Sequence, residues 1–268
     1  MQALDENLDL VRFTPLIFIC SMALFMGIGW LFGYYRSKKA GETEVVVRDA
    51  VVAAIFGLAA LVLGFVFSSA SNHYEVFLNG MRNQANAIKE MYISTKYLQT
   101  PDQVAIKKSL SELLDFRLTF YQEINNHAHH DLNIAIDKMA ALVRKITEDM
   151  TKAALSAPQE NQPIIANIVP PQLRDLSASF TLAGMLATSR PSKLLMRFFY
   201  TLLCAGAMLI GYTMAVKKES DWFLSSLYVL LMGSSFYVIV SFEFPTLFMP
   251  YDESNKDLLM LKNWLGSH

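Results

Sequence analysis

The chain has 268 residues, 53% hydrophobic and only 18% charged, with a net charge of -1 and a mean hydropathy of +0.29. A soluble domain of this length carries nearer a quarter charged residues, so the composition points to a membrane protein. The near-zero charge gives no footing for nucleic acid. Cys20 and Cys204 both lie in apolar stretches, which excludes a disulfide framework and reads them as small hydrophobic residues.

The N-terminal tail, Met1 to Asp9, is acidic. It lacks the basic n-region of a cleavable signal, so the first apolar segment is expected to stay in the protein. That segment, span one, runs from about Pro15 to Tyr35, with Pro15 suited to a first turn. Gly29 and Gly33 give it a small-xxx-small face for close helix packing, and Trp30, Tyr34 and Tyr35 suit the membrane interface. A polar loop holding Arg36, Lys38, Lys39 and Arg48 leads to span two, Asp49 to Ala70. Here Ala53, Gly57, Ala60 and Gly64 repeat the small-xxx-small pattern. No proline occurs from Asp49 to Thr100, so one long helix is expected to leave the bilayer unbroken.

Beyond span two the pattern becomes amphipathic, with Tyr74, Phe77, Met81, Ala85, Ile88 and Tyr92 at helical spacing. Gln99 to Asp102 marks a break, with Thr100 or Asp102 as a cap. A stripe of Leu110, Leu113, Leu114, Leu118, Tyr121 and Ile124 follows, then a polar interruption from Asn125 to Asp131. Leu132, Ile136, Met139, Val143, Ile146 and Met150 form the next stripe. Pro158 to Pro163 reads as a turn, and Pro170-Pro171 is expected to precede a further helix through Ser189. Acidic and basic residues are equal in number between Ser71 and Arg190, as in a solvated helical bundle. Span three is about Leu194 to Val216, with Ala207 and Gly211 as a tight-packing pair. Lys217 to Asp221 is a short loop, span four runs from Trp222 to Phe242, and an acidic tail follows.

The expected fold is therefore an all-α integral membrane protein with four transmembrane helices. A helical extramembrane domain is inserted between spans two and three. Its parts are residues 1–70 (tail and first hairpin), 71–190 (helical domain) and 191–268 (second hairpin and C-terminal tail). Arg36, Lys38, Lys39, Arg48, Lys217 and Lys218 in the two short loops place those loops in the cytoplasm by the positive-inside rule. Arg190, Lys193 and Arg197, at the domain side of span three, pull the other way.

Four features bear on function. Gly57, Leu61 and Phe65, a turn apart on span two, fit a hydrophobic pore constriction, with Ser68 and Ser69 lining a polar widening beside it. Ordinary helix packing explains the same periodicity. Glu123, His127, His129, His130 and Asp131 have metal-ligating chemistry, although a polar connection capped by Asp131 accounts for them more simply. Glu243, Asp252, Glu253 and Asp257 offer oxygen ligands without EF-hand spacing, which reads as a solvated acidic end. The spans hold essentially no ionisable residue away from their ends, which disfavours a proton-coupled transporter or an intramembrane protease. No phosphate loop, nucleophile elbow or HExxH motif is present. The expectation is a non-enzyme without a cofactor or metal.

Several short runs, in order, resemble the bestrophin-like bacterial membrane family. Leu61 to Ser68 resembles that family's apolar-to-Ser end of span two. Asn83-Gln84-Ala85-Asn86-Ala87-Ile88 is similar to its Glu-Ala-Asn-Ala-Ile run, with Gln84 in place of the acid. Leu113 to Leu118, with Arg117, resembles its Tyr-x-x-Ala-Arg helix. Ser189-Arg190-Pro191 matches the arginine-proline step before span three, and Phe242-Glu243-Phe244-Pro245 a shortened form of its acidic-x-x-Pro turn. The motif residues carried over are Asn86, Arg117, Pro191, Glu243 and Pro245. The family's distant likeness to bestrophins implies a homo-oligomeric chloride-type channel with a hydrophobic neck on span two. Leu61 and Phe65 would be neck residues, and Gly57 is too small for that role. The resemblance implies a bacterial inner-membrane location, the lipid bilayer, copies of the same chain and small inorganic anions as partners, and a cytosolic helical domain. A membrane-anchored scaffold acting through residues 71–190 is the competing expectation.

Overall fold

The computed structural model describes residues 8–40, 49–126, 132–188, 193–218 and 222–267. These are all-helical, with no strand among the described residues. In order they are α1 (Leu8–Ala40), α2 (Asp49–Ser94), α3 (Thr100–Asn126), α4 (Leu132–Leu155), α5 (Gln162–Thr188), α6 (Lys193–Lys217), α7 (Trp222–Glu243), α8 (Pro245–Phe248), α9 (Tyr251–Ser254) and α10 (Lys256–Gly266). A 3₁₀ turn, Thr95–Tyr97, links α2 to α3.

Four helices are long and apolar enough to cross a membrane: the stretches Val11–Lys39, Ala50–Tyr97, Met196–Lys217 and Trp222–Glu243. The shortest of these have 22 residues. At 1.5 Å per residue that spans about 33 Å, enough for a hydrocarbon core of ~30 Å. Helix α2 is continuous for 46 residues, as its lack of proline predicts.

Two proline expectations need correction. Pro15 lies inside α1 rather than at its start. Its missing N–H opens one backbone bond, while the helix must keep its other donors satisfied and so continues on both sides. Pro170 and Pro171 also lie inside a helix, α5, which begins at Gln162. Both prolines, with Ala166 and Asn167 one turn earlier, are exposed. The carbonyls they leave unpaired can therefore take water, while Ile165, Val169, Leu176 and Phe180 keep the other face buried.

The chain divides into two compact units. The first comprises residues 75–189 and 245–268 among others, and its core is the predicted set of stripes. Met81, Ala85 and Ile88 of α2, Leu110, Leu113, Leu114 and Leu118 of α3, and Met139, Val143, Ile146 and Met150 of α4 are all buried together. The residues after span four are helical and join this core. Leu258 and Leu261 of α10 are buried in it, and Trp264 packs against it. The Trp264 ring meets Tyr92 edge-on at 5.8 Å and receives Lys89 Nζ at 5.0 Å.

The second unit holds residues 7–74 and 190–244. Its tightest feature is the crossing of α1 and α6. A Cβ on Gly29 would collide with the backbone carbonyl of Met208, and one on Gly211 with that of Met26. A Cβ on Gly33 would stand 2.7 Å from the Tyr212 carbonyl oxygen. The predicted small-residue faces of spans one and three are thus packed against each other, backbone on backbone. Aromatic rings fill the rest: Phe18 stacks on Phe236 at 4.1 Å, and Phe199 lies 6.5 Å from the same ring. Cys20 and Cys204 are free thiols, the second buried.

Candidate functional site

In the second unit, α2 presents two unlike faces. Ala59, Val62, Val66 and Ala70 recur at three and four residues and are buried. The opposite stripe is open. Leu61 is 57% exposed and Phe65 64%, and Gly57, Ser68 and Ser69 are exposed as well. The five predicted pore-facing residues therefore point away from the protomer's own helices, Ser69 at the edge of the stripe. No atom lies within 4 Å of where a Cβ on Gly57 or Gly64 would stand. Gly57 and Gly64 thus have no packing partner among the described residues.

The buried stripe of α2 ends on a charged group. His73 follows Val66 and Ala70 on the same face, and its Nδ1 lies 3.7 Å from Glu243 Oε2 on the last residue of α7. The side chains are 25% and 4% exposed, respectively. Around them Tyr74 stacks on Phe242 at 5.1 Å, and Phe67 lies 5.9 Å from that ring. Neither His73 nitrogen nor Glu243 Oε2 has a hydrogen-bond partner among the described residues. A buried carboxylate must find a counter-charge or take a proton, and His73 is the group placed to answer it. Further along the spans, Phe56 of α2 meets Tyr228 of α7 edge-on at 5.7 Å. Among the described residues of the second unit, α2 meets α7 through these rings and the His73–Glu243 approach.

Glu243 stands out in the sequence as part of a motif, whereas His73 does not. The signal was present: a lone polar residue continuing the buried 59-62-66-70 spacing needs a partner.

Two other motif residues meet in the first unit. Arg117 is buried, and its Nε donates to Gln84 Oε1 at 2.9 Å. Gln84 Nε2 in turn donates to the Ser179 carbonyl at 3.3 Å. Gln84 stands where the resemblance expects an acid. The amide accepts from the guanidinium and also bridges to α5, a second bond that a carboxylate would lack the proton to make. Asn86, by contrast, is exposed, and Pro245 is buried at the start of α8. Pro191 lies outside the described residues.

No family model, curated protein or solved structure matches this chain.

No group of three or more His, Cys, Asp or Glu converges among the described residues. The tract His127, His129, His130 and Asp131 lies outside them, as does the Glu123 side chain. Of the tail acids, Asp257 Oδ2 lies 3.7 Å from Arg82 Nε, Glu243 faces His73, and Asp252 and Glu253 are exposed. The C-terminal helices are instead tied to the bundle by neighbouring polar contacts. Lys262 Nζ lies 2.7 Å from Asp115 Oδ1, and the Tyr251 hydroxyl donates to the Leu118 carbonyl at 3.3 Å. Hydrogen bonding to Asp115 raises the Lys262 pKa above its ordinary value. Burial raises that of Tyr251, opposed in part by Lys262.

Proposed function

We propose that this protein is a multi-pass membrane channel assembled from several copies of itself, with the open face of α2 turned toward a shared axis. The observation that carries the reading is the contrast within the second unit. Small residues of α1 and α6 are consumed in a backbone crossing, while the equivalent residues of α2 remain open beside Leu61, Phe65 and two serines. A ring of copies would give that face a partner and would set Leu61 and Phe65 as a dewetting constriction. Ser68 and Ser69 would follow as a polar widening. Small inorganic anions are the proposed cargo, because the stretch from Gly57 to Ser69 offers hydroxyl donors and no carboxylate. The resemblance to bestrophin-like proteins supports the same choice. In this reading the bundle built on residues 71–190 is an extramembrane domain, and the protein sits in a bacterial inner membrane.

The test is ion flux in proteoliposomes. Phe65→Ala and Leu61→Ala, each exposed and therefore harmless to the protomer's own packing, should change conductance or gating several-fold. Currents unchanged in both single variants would remove the constriction. A protein that carries no current and stays monomeric or dimeric would favour the membrane-anchored scaffold instead.

A further inference from the structure

The second unit contains an open groove of about 620 Å³ between α1 and α7. Its walls are Ile19, Ala23, Gly27 and Trp30 of α1, at the three- and four-residue spacing of one helix face, and Trp222, Ser225, Ser226 and Leu230 of α7. Gly211 and Met214 of α6 form the floor. The deep end is closed where Ile19 packs on α7: a Cβ on Gly233 would stand 2.8 Å from Ile19 Cγ1. The other end is lined by Trp222, the first residue of α7, which is exposed. From Ile19 to Trp30 the α1 wall rises about 16 Å at 1.5 Å per residue, close to half of a ~30 Å hydrocarbon core. That length matches one leaflet of a bilayer. No atom lies within 4 Å of a Cβ built on Gly27, so its middle is empty of protein.

The helix ends at the open side are basic. Arg36, Lys38 and Lys39 close α1, Lys217 closes α6 and Lys218 follows it, with no acid in either final turn. The loop acids Glu42, Glu44, Glu219 and Asp221 come after these ends in sequence. Two tryptophans, Trp30 and Trp222, line the same side, the residue type that settles at headgroup level. Mostly apolar walls, a length of about one leaflet and a basic, tryptophan-lined mouth fit a lipid chain.

We propose that this groove holds one acyl chain of an anionic phospholipid, with the headgroup at the basic ends of α1 and α6. The inference uses only the membrane character of the four helices and stands apart from the pore reading. A basic side chain near an anionic headgroup is worth about fivefold in affinity, so two of them separate anionic from zwitterionic lipid by more than tenfold.

The experiment is native mass spectrometry of the full chain, delipidated in detergent and then offered phosphatidylglycerol or phosphatidylcholine with the same acyl chains. One phosphatidylglycerol per protomer should be retained, at least about tenfold more tightly than phosphatidylcholine. Gly27→Phe places a ring in the groove and should abolish retention. Leu24→Phe, on an exposed position of the same helix outside the groove, should leave it intact. Lys38→Gln with Lys39→Gln should bring phosphatidylglycerol down toward the phosphatidylcholine level. Helical circular dichroism of each variant confirms that it is folded. Equal retention of the two lipids, retention of neither, or full retention by folded Gly27→Phe would each overturn the proposal.

Discussion

Helices α1 and α2 carry the same small-xxx-small signature, and the protomer treats them in opposite ways. On α1, Gly29 and Gly33 lie against the backbone of α6, so close that a methyl group at Gly29 would strike a carbonyl. On α2, Gly57 and Gly64 face open space. Small residues permit close approach without requiring it. What decides is whether the opposite helix also offers a small face: α6 supplies Ala207 and Gly211, whereas α7 meets α2 with Tyr228 and Phe242. Rings hold helices apart, and Gly57 and Gly64 of α2 stay clear of the protomer's other helices.

The comparison can be broken most severely at the crossing. Gly29→Leu or Gly211→Leu should destabilise the membrane unit by about 3 kcal/mol or more, because the obstructing atoms are backbone and cannot rotate away. Buried Cys204, in a Cys20→Ser background, supplies the readout through thermal exposure of its thiol. Gly57→Leu and Gly64→Leu should leave that thermal profile unchanged and alter subunit assembly instead. An equal loss of protomer stability at Gly57 would erase the distinction.

The buried polar contacts come next. Arg117→Leu strands Gln84 in the bundle core and should cost about 2 kcal/mol, measured by denaturant unfolding. Gln84→Glu should be tolerated far better, since Arg117 can meet the new charge. At the His73–Glu243 approach, a double-mutant cycle between His73→Leu and Glu243→Gln should give a coupling of about 1 kcal/mol. Additive effects would mean that the 3.7 Å approach does not bind α2 to α7.

The smallest effect belongs to the exposed ends of the first unit. Lys262 and Tyr251 both have pKa values raised in the folded protein. A raised folded value means that the stabilisation is complete below the unfolded pKa. It is lost as pH rises through the folded one, hence above about pH 10 for both groups. Lys262→Met should flatten that alkaline decline slightly. Near neutral pH it should cost no more than a few tenths of a kcal/mol, because solvent screens this exposed pair.

Much of this architecture was legible in the residues. The unbroken α2 followed from the missing proline, and the bundle stripes from their spacing. The faces of α1 and α6 were legible as faces, but not as partners, because a small-residue pattern does not name what it touches. The prolines of α1 and α5 misled. A proline costs one donor, and where its freed carbonyl meets water or the flanking turns are held by burial, the helix continues through it. The docking of α10 was missed because Leu258, Leu261 and Leu265 sit in a short, mixed segment. Gln84 and Arg117 were singled out separately, and only the fold brought them within bonding distance.

The most direct test of the open α2 face is a subunit count by native mass spectrometry of the detergent-purified chain. A single species containing more than two copies, the size of a closed ring, is the predicted result. A population of monomers or dimers would contradict the account, since α2 would then have no axis to line.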